Sequence, residues 1–272
     1  MNKVIMVGFA ALAAAGVAGA QTETMMVGLA PNSARMEPEV SVEDAILSSY
    51  VWRGQVQNND MVTQPQITVA YYDFSVNVWG NYNFGKDYNG VSGDFSEIDL
   101  SLAYDVPVNI SDMSLTVGAI HYTFPNTMAE ATTELYVAGT INTFQDLIVP
   151  VIPSVTVFGD VDEVKGTYVL FDVNVPYAFS DVLKVTGGVS AGYGNTSYND
   201  YYFPNGAVST QDAGWNDFNL YGIVDYEILE DLTASLSLVY TGLEGGSIES
   251  AAKDVYDAKE KFWGGVNVAY DF

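Results

Sequence analysis

From Glu39 onward the chain is written in runs where apolar and polar residues alternate one by one. A period of two puts successive side chains on opposite faces of an extended strand, so each run specifies one apolar and one polar face. In Phe95 to Val106 the apolar set is Ile98, Leu100, Leu102, Tyr104 and Val106. The opposing set is Glu97, Asp99, Ser101, Ala103 and Asp105. Phe74 to Phe84 repeats the pattern, with Phe74, Val76, Val78, Tyr82 and Phe84 against Ser75, Asn77, Trp79, Asn81 and Asn83. In Thr167 to Tyr177, Val169, Phe171, Val173, Val175 and Tyr177 oppose Tyr168, Leu170, Asp172 and Asn174. Each run is about ten residues or longer, long for a globular strand but suited to crossing a bilayer at a tilt. The apolar faces end in aromatics (Phe74 and Phe84, Tyr104, Tyr177, Tyr240, Tyr270 with Phe272), as an interfacial girdle requires. An apolar exterior and a polar interior follow.

The pattern predicts strands at 39–53, 63–72, 74–84, 95–106, 111–124, 131–141, 149–158, 165–177, 182–194, 214–227, 231–241 and 261–272. Pro150 and Pro153 interrupt the 149–158 ladder. Long connections (54–62, 85–94, 125–130, 159–164, 195–213, 242–260) broadly alternate with short ones. The fold class is therefore all-β: a single transmembrane antiparallel β-barrel of about 12 strands, with periplasmic N- and C-termini and long outer loops. Within the last loop, Ile248 to Lys259 has the composition of a short helix.

The two ends agree. Lys3, the apolar run Val4 to Val17 and Ala18-Gly19-Ala20 have the layout of a cleaved signal peptide over residues 1–20. Residues 21–38 show no period and form a lead-in, leaving 39–272 as the barrel. The last residues, Val266 to Phe272, alternate strictly and stop on an aromatic. This resembles the C-terminus of bacterial outer-membrane barrels, and the resemblance implies that Tyr270 and Phe272 are the signal for the barrel-assembly machinery and that the address is the cell outer membrane.

Lys and Arg number 9 against 34 Asp and Glu, which excludes a nucleic-acid partner. There is no cysteine, hence no disulfide framework and no thiolate metal site. The single histidine, His121, has no carboxylate adjacent in sequence, so neither a lipase-type nor a protease-type site nor a histidine metal cluster is expected. No catalytic residue, metal or cofactor is expected. Asp160, Asp162 and Glu163 lack the spacing of a Ca²⁺ loop and read as solvated charge.

Three short stretches carry a likeness: Ser48-Ser49-Tyr50-Val51-Trp52-Arg53-Gly54, Asn77-Val78-Trp79-Gly80-Asn81, and Phe158-Gly159-Asp160 with Lys165-Gly166-Thr167-Tyr168. Together they resemble the TorF-like porin group of bacterial outer-membrane β-barrels, in matching order over most of residues 45–272. The resemblance implies a barrel of unsettled cargo and brings no catalytic residues.

The polar faces supply the candidate selectivity set: Glu97, Asp99, Asp105, Glu134, Asp172, Asp225 and Glu227, with Lys184 as the main counterweight. Carboxylates along a water-filled gap favour cations. Arg53, at the outer end of the first predicted strand, has three readings: a lipopolysaccharide phosphate contact, a partner for a lumen carboxylate, or a rim cation. Two functions stay open. One is a porin passing small hydrophilic solutes with cation preference. The other is a structural or scaffolding barrel whose lumen is plugged, with Trp79, Trp263, Tyr168 and Tyr221 available to fill it. Expected partners are outer-membrane lipid and lipopolysaccharide, the assembly machinery and small solutes.

Overall fold

The computed structural model describes residues 37–87, 89–108, 112–142, 149–204 and 211–272. The predicted signal peptide and nearly all of the lead-in lie outside the described residues. In chain order come β1 (Glu39–Leu47), the short pair β2 (Tyr50–Trp52) and β3 (Gln55–Asn58), β4 (Val62–Tyr71), β5 (Phe74–Asn83), β6 (Asp94–Val106) and β7 (Met113–Thr123). Then follow β8 (Thr132–Ile141), β9 (Ile152–Asp160), β10 (Thr167–Ala178) and β11 (Leu183–Gly194). Helix α1 (Thr196–Tyr202), β12 (Gly214–Leu229), β13 (Leu232–Leu243), helix α2 (Gly246–Tyr256) and β14 (Glu260–Asp271) complete the chain.

Twelve strands, β1 and β4 through β14, form a closed antiparallel barrel. Closure runs through β1, which pairs with β4 on one side (Val42 opposite Ile67) and β14 on the other (Val42 opposite Tyr270). No strand edge is left open, the condition for a sheet in lipid. The up-and-down order puts both described ends of the chain at one rim, here the near end. The long connections and both helices lie at the other, the far end.

The two faces are inverted relative to a soluble sandwich. Leu100 and Leu102 are each 51% exposed, while Glu97 and Asp99 on the other face are each 8% exposed. Val76, Val78, Phe171, Val173, Val266 and Val268 continue the exposed apolar band. Aromatic pairs mark its near edge, with Phe74–Tyr104 ring centres 4.7 Å apart and Tyr270–Phe272 also 4.7 Å. Tyr82–Phe84 at 5.6 Å and Phe218–Tyr240 at 6.0 Å mark the far edge. Amphipathic rings at both interfaces are the mark of a membrane barrel.

The prolines sit where the ladder can spare a donor. Pro153 pairs with Val173 of β10, but the β8 ladder begins only at Ser154. Pro176 faces Thr186 of β11 beyond the last β9 partner at Asn174. The strand read at 149–158 therefore exists, displaced to Ile152–Asp160.

One boundary is corrected. The first strand does not run to residue 53. β1 ends at Leu47, and 48–61 turns out of the wall into the lumen as the β2–β3 hairpin. Its alternation carries on through Tyr50 and Trp52, so period alone does not reveal the departure. The predicted helix is present as α2, and α1 lies inside the connection predicted at 195–213.

Candidate functional site: a hairpin inside the barrel

The turn of the β2–β3 hairpin is Arg53-Gly54, with Trp52 paired to Gln55. Both turn residues carry positive φ, 45° and 82°, as a two-residue type I′ turn requires. Glycine meets this at no steric cost; an arginine does not, and its contacts must hold it there. A Cβ on Gly54 would also lie 2.4 Å from Leu243 and 2.8 Å from Asp217, so the tip is pressed against β13 and β12.

The Arg53 guanidinium makes two hydrogen bonds to Glu134 on β8, at 2.9 and 2.7 Å. Both side chains are almost fully enclosed, 4% and 3% exposed. The guanidinium carbon lies 4.5 Å from the Trp52 ring centre and 4.4 Å from those of Phe158 and Tyr168. Tyr122 donates a further hydrogen bond to Glu134 at 2.9 Å. A forked planar cation meeting a carboxylate edge-on and aromatic faces above and below is the geometry arginine is suited to. Of the three sequence readings, the lumen carboxylate holds, and the rim and lipopolysaccharide readings do not.

Other contacts tie the hairpin to the wall. Tyr50 donates to Glu97 on β6, and Asn58 donates to Asn83 on β5 at 2.8 Å. A segment reaching β5, β6, β8, β9, β10, β12 and β13 lies inside the ring they form. The two helices complete the plug. Asn195 caps α1, its side chain accepting from the Tyr198 backbone N–H at 2.9 Å and from Thr167 at 3.0 Å, which ties the cap to β10. Tyr256 of α2 donates to Gln55 at 2.7 Å and to the Tyr202 carbonyl at 2.9 Å. Burial pushes the Tyr198 and Tyr202 hydroxyls well above the usual tyrosine range, so both stay neutral.

The far half of the lumen is thus packed with Val51, Trp52, Phe158, Tyr168, Tyr198 and Phe203, and also with Trp263. The near half is polar. Asn77 donates to Gln66 and Thr68 at 3.0 and 2.9 Å, Tyr221 donates to Asp172 at 2.8 Å, and Ser235 donates to Asp225 at 2.8 Å. The sequence-read set falls into two groups. Glu97 and Glu134 hold the hairpin. Asp172 and Asp225 line the near half, and Asp105 accepts from Thr116 at 2.7 Å near that rim. Asp99 is buried beside the same strand's Glu97, while Glu227 is exposed where the β12–β13 register shifts at the near rim. Lys184 lies 3.6 Å from Asp225, and Arg53 is a second cation on the inner side.

Sequence reasoning missed Asp217, Asp160 and Glu43. Asp217 accepts from Tyr168 at 2.8 Å. Asp160 is not solvated: one oxygen accepts from the backbone of Asp162, Val164 and Lys165, and the other from Thr132 at 2.5 Å. The loop it organises was legible only as an acidic cluster. His121 lies exposed on the outside, 3.0 Å from Thr133. Among the described residues no group of His, Cys, Asp and Glu is arranged to hold a metal ion.

Solved outer-membrane channels share this architecture, NanC and COG4313 among them. The NanC porin has a TM-score of 0.53 at 10% identity, covering 85% of this chain and 98% of that one. The COG4313 outer membrane channel from Pseudomonas putida F1 has a TM-score of 0.52 at 10% identity, covering 86% and 94%. At such identity the likeness is one of fold. No curated protein matches the chain. A family sequence model matches residues 32–225, and the chain accordingly belongs to the family described as "Bacterial protein of unknown function (Gcw_chp)".

Proposed function

We propose that the protein is an outer-membrane channel, its termini in the periplasm, that passes small hydrophilic solutes with a preference for cations. The observation that carries this reading is the acidic inner face of a closed, apolar-sided barrel. Among the described residues that face presents Glu43, Asp99, Asp105, Asp172, Asp217 and Asp225 beyond the two carboxylates that hold the hairpin, against Arg53, Lys184 and, at the far rim, Lys261. Fixed carboxylates along a narrow aqueous gap concentrate cations and exclude anions. The likeness to TorF-like porins and the fold of the solved channels support the same reading. The candidate selectivity residues keep their proposed role, except that Glu97 and Glu134 act first as anchors of the hairpin.

A second reading has its own observation. The hairpin and two helices fill the far half of the lumen, as a scaffolding barrel with a plugged interior would. Planar-bilayer recording of the refolded chain separates the two. Discrete current steps, in the native chain or after the hairpin is released, support the channel. Silence in both supports the scaffold.

A further inference from the structure

Between the inward hairpin, the two helices and the wall strands β6 and β7 lies a cavity of about 230 Å³ at the far mouth. Its lining is rich in aromatic rings. Tyr122 and Tyr202 stand around Trp52 at ring-centre distances of 6.3 and 5.0 Å, with interplanar angles of 74° and 65°. These rings pack edge-to-face on the indole, so the cavity is bounded on this side by a rigid aromatic cluster. Tyr50, Phe124, Tyr201 and Tyr256 also line the cavity.

The charged groups on this lining are all of one sign: Asp87, Glu97 and Glu130, with no lysine or arginine among the lining residues. Asp87 already accepts from Val91 and Asn83, at 2.8 and 3.1 Å, and Glu97 accepts from Tyr50. Glu130 is exposed at the opening. The same aromatic cluster already holds one cation: the Arg53 guanidinium on Trp52, balanced by Glu134.

Aromatic boxes edged by carboxylates recognise ammonium groups, because ring faces carry negative potential and a soft cation loses little on leaving water. The volume lies below the roughly 300–1,000 Å³ of sites for drug-sized ligands, so the occupant has few heavy atoms. We propose that this cavity is a binding site for a small organic ammonium cation, placed at the barrel mouth ahead of the lumen. The inference goes beyond the channel reading, since the cavity can be filled whether or not the barrel conducts.

Choline is the probe, and 3,3-dimethylbutan-1-ol, its uncharged isostere, the control. Titration calorimetry on the refolded protein in detergent reads binding without reference to current. Choline should bind saturably and the neutral alcohol at least about tenfold more weakly. Glu130→Gln, at an exposed position outside the hairpin's anchoring contacts, should weaken choline severalfold with the fold intact. Trp52→Leu should weaken it by about tenfold or more. If Trp52→Leu fails to refold, the isostere and Glu130→Gln decide the matter. Equal affinity for choline and the alcohol, or no saturable choline binding to the native protein, overturns the proposal. A silent bilayer beside intact choline binding would remove the channel reading and leave this site standing.

Discussion

Glu134→Gln should release the hairpin without opening the barrel wall. The substitution keeps the volume and hydrogen-bonding outline of the side chain but removes the charge facing Arg53. Two hydrogen bonds at 2.9 and 2.7 Å and one full counter-charge serve a guanidinium that is 4% exposed. Removing one partner of a buried pair leaves an uncompensated charge and costs about 3–5 kcal/mol. The wall does not depend on this pair, since β8 keeps its ladders to β7 and β9. The cost therefore falls on docking of the hairpin, whose tip also carries an arginine at φ 45°. An effect of ~3–5 kcal/mol lowers the ratio of docked to undocked hairpin by roughly two to three and a half orders of magnitude. Limited proteolysis within 48–61 should become faster, and open-channel current should rise, while heat-modifiable mobility on gels stays native. Arg53→Met combined with Glu134→Gln removes both charges and should be milder than the sum of the single changes. Native-like proteolysis and current in Glu134→Gln, or strict additivity in the double variant, would refute the anchoring role.

The same structure sets further expectations. Val173→Lys, on the lipid side, should cost about 2–4 kcal/mol in refolding while Asn174→Lys on the inner face costs far less; equal costs would mean the faces are misassigned. Gly188→Ala would set a Cβ 2.1 Å from the Tyr221 ring and should destabilise by about 1–3 kcal/mol, whereas the Cβ of Gly187→Ala meets nothing within 4 Å; urea titration of both variants separates them. Deleting Phe272 removes its hydrogen bond to Val40 at 2.8 Å and its ring contact with Tyr270, and should lower the yield of inserted protein on gels; an unchanged yield would count against its role in assembly.

Much of the wall was legible because a barrel in lipid repeats one physical demand on every strand. Ile98, Leu100 and Leu102 must meet lipid while Glu97 and Asp99 must not, and period two reports that directly. The hairpin was not legible for the same reason. Tyr50, Val51 and Trp52 are all buried, so alternation there no longer separates lipid from lumen. The signal lay in Arg53-Gly54, a turn written with an arginine where asparagine or glycine is usual, and only tertiary contacts explain that residue. The Arg53–Glu134 pair spans 81 positions and no local pattern could join it. Asp217 shares its strand face with Asp225 and Glu227 and was within reach of period two, whereas Glu43 sits on the first run, whose polar face carries no acid in the predicted set. Tyr198 and Tyr202 belong to a seven-residue helix, too short to announce itself by periodicity.

The central claim is an acidic lumen that selects by charge, and reversal potentials across a KCl gradient test it most directly. They should be recorded on the native chain and on Glu134→Gln, with and without Glu97→Gln and Asp99→Asn. The account predicts a potential of the sign that marks cation preference. It should shrink as ionic strength rises, because the screening length falls from about 10 Å at 0.1 M to about 3 Å at 1 M. It should fall further when the two carboxylates are neutralised. A potential of the opposite sign, or no current even with the hairpin released, would contradict it.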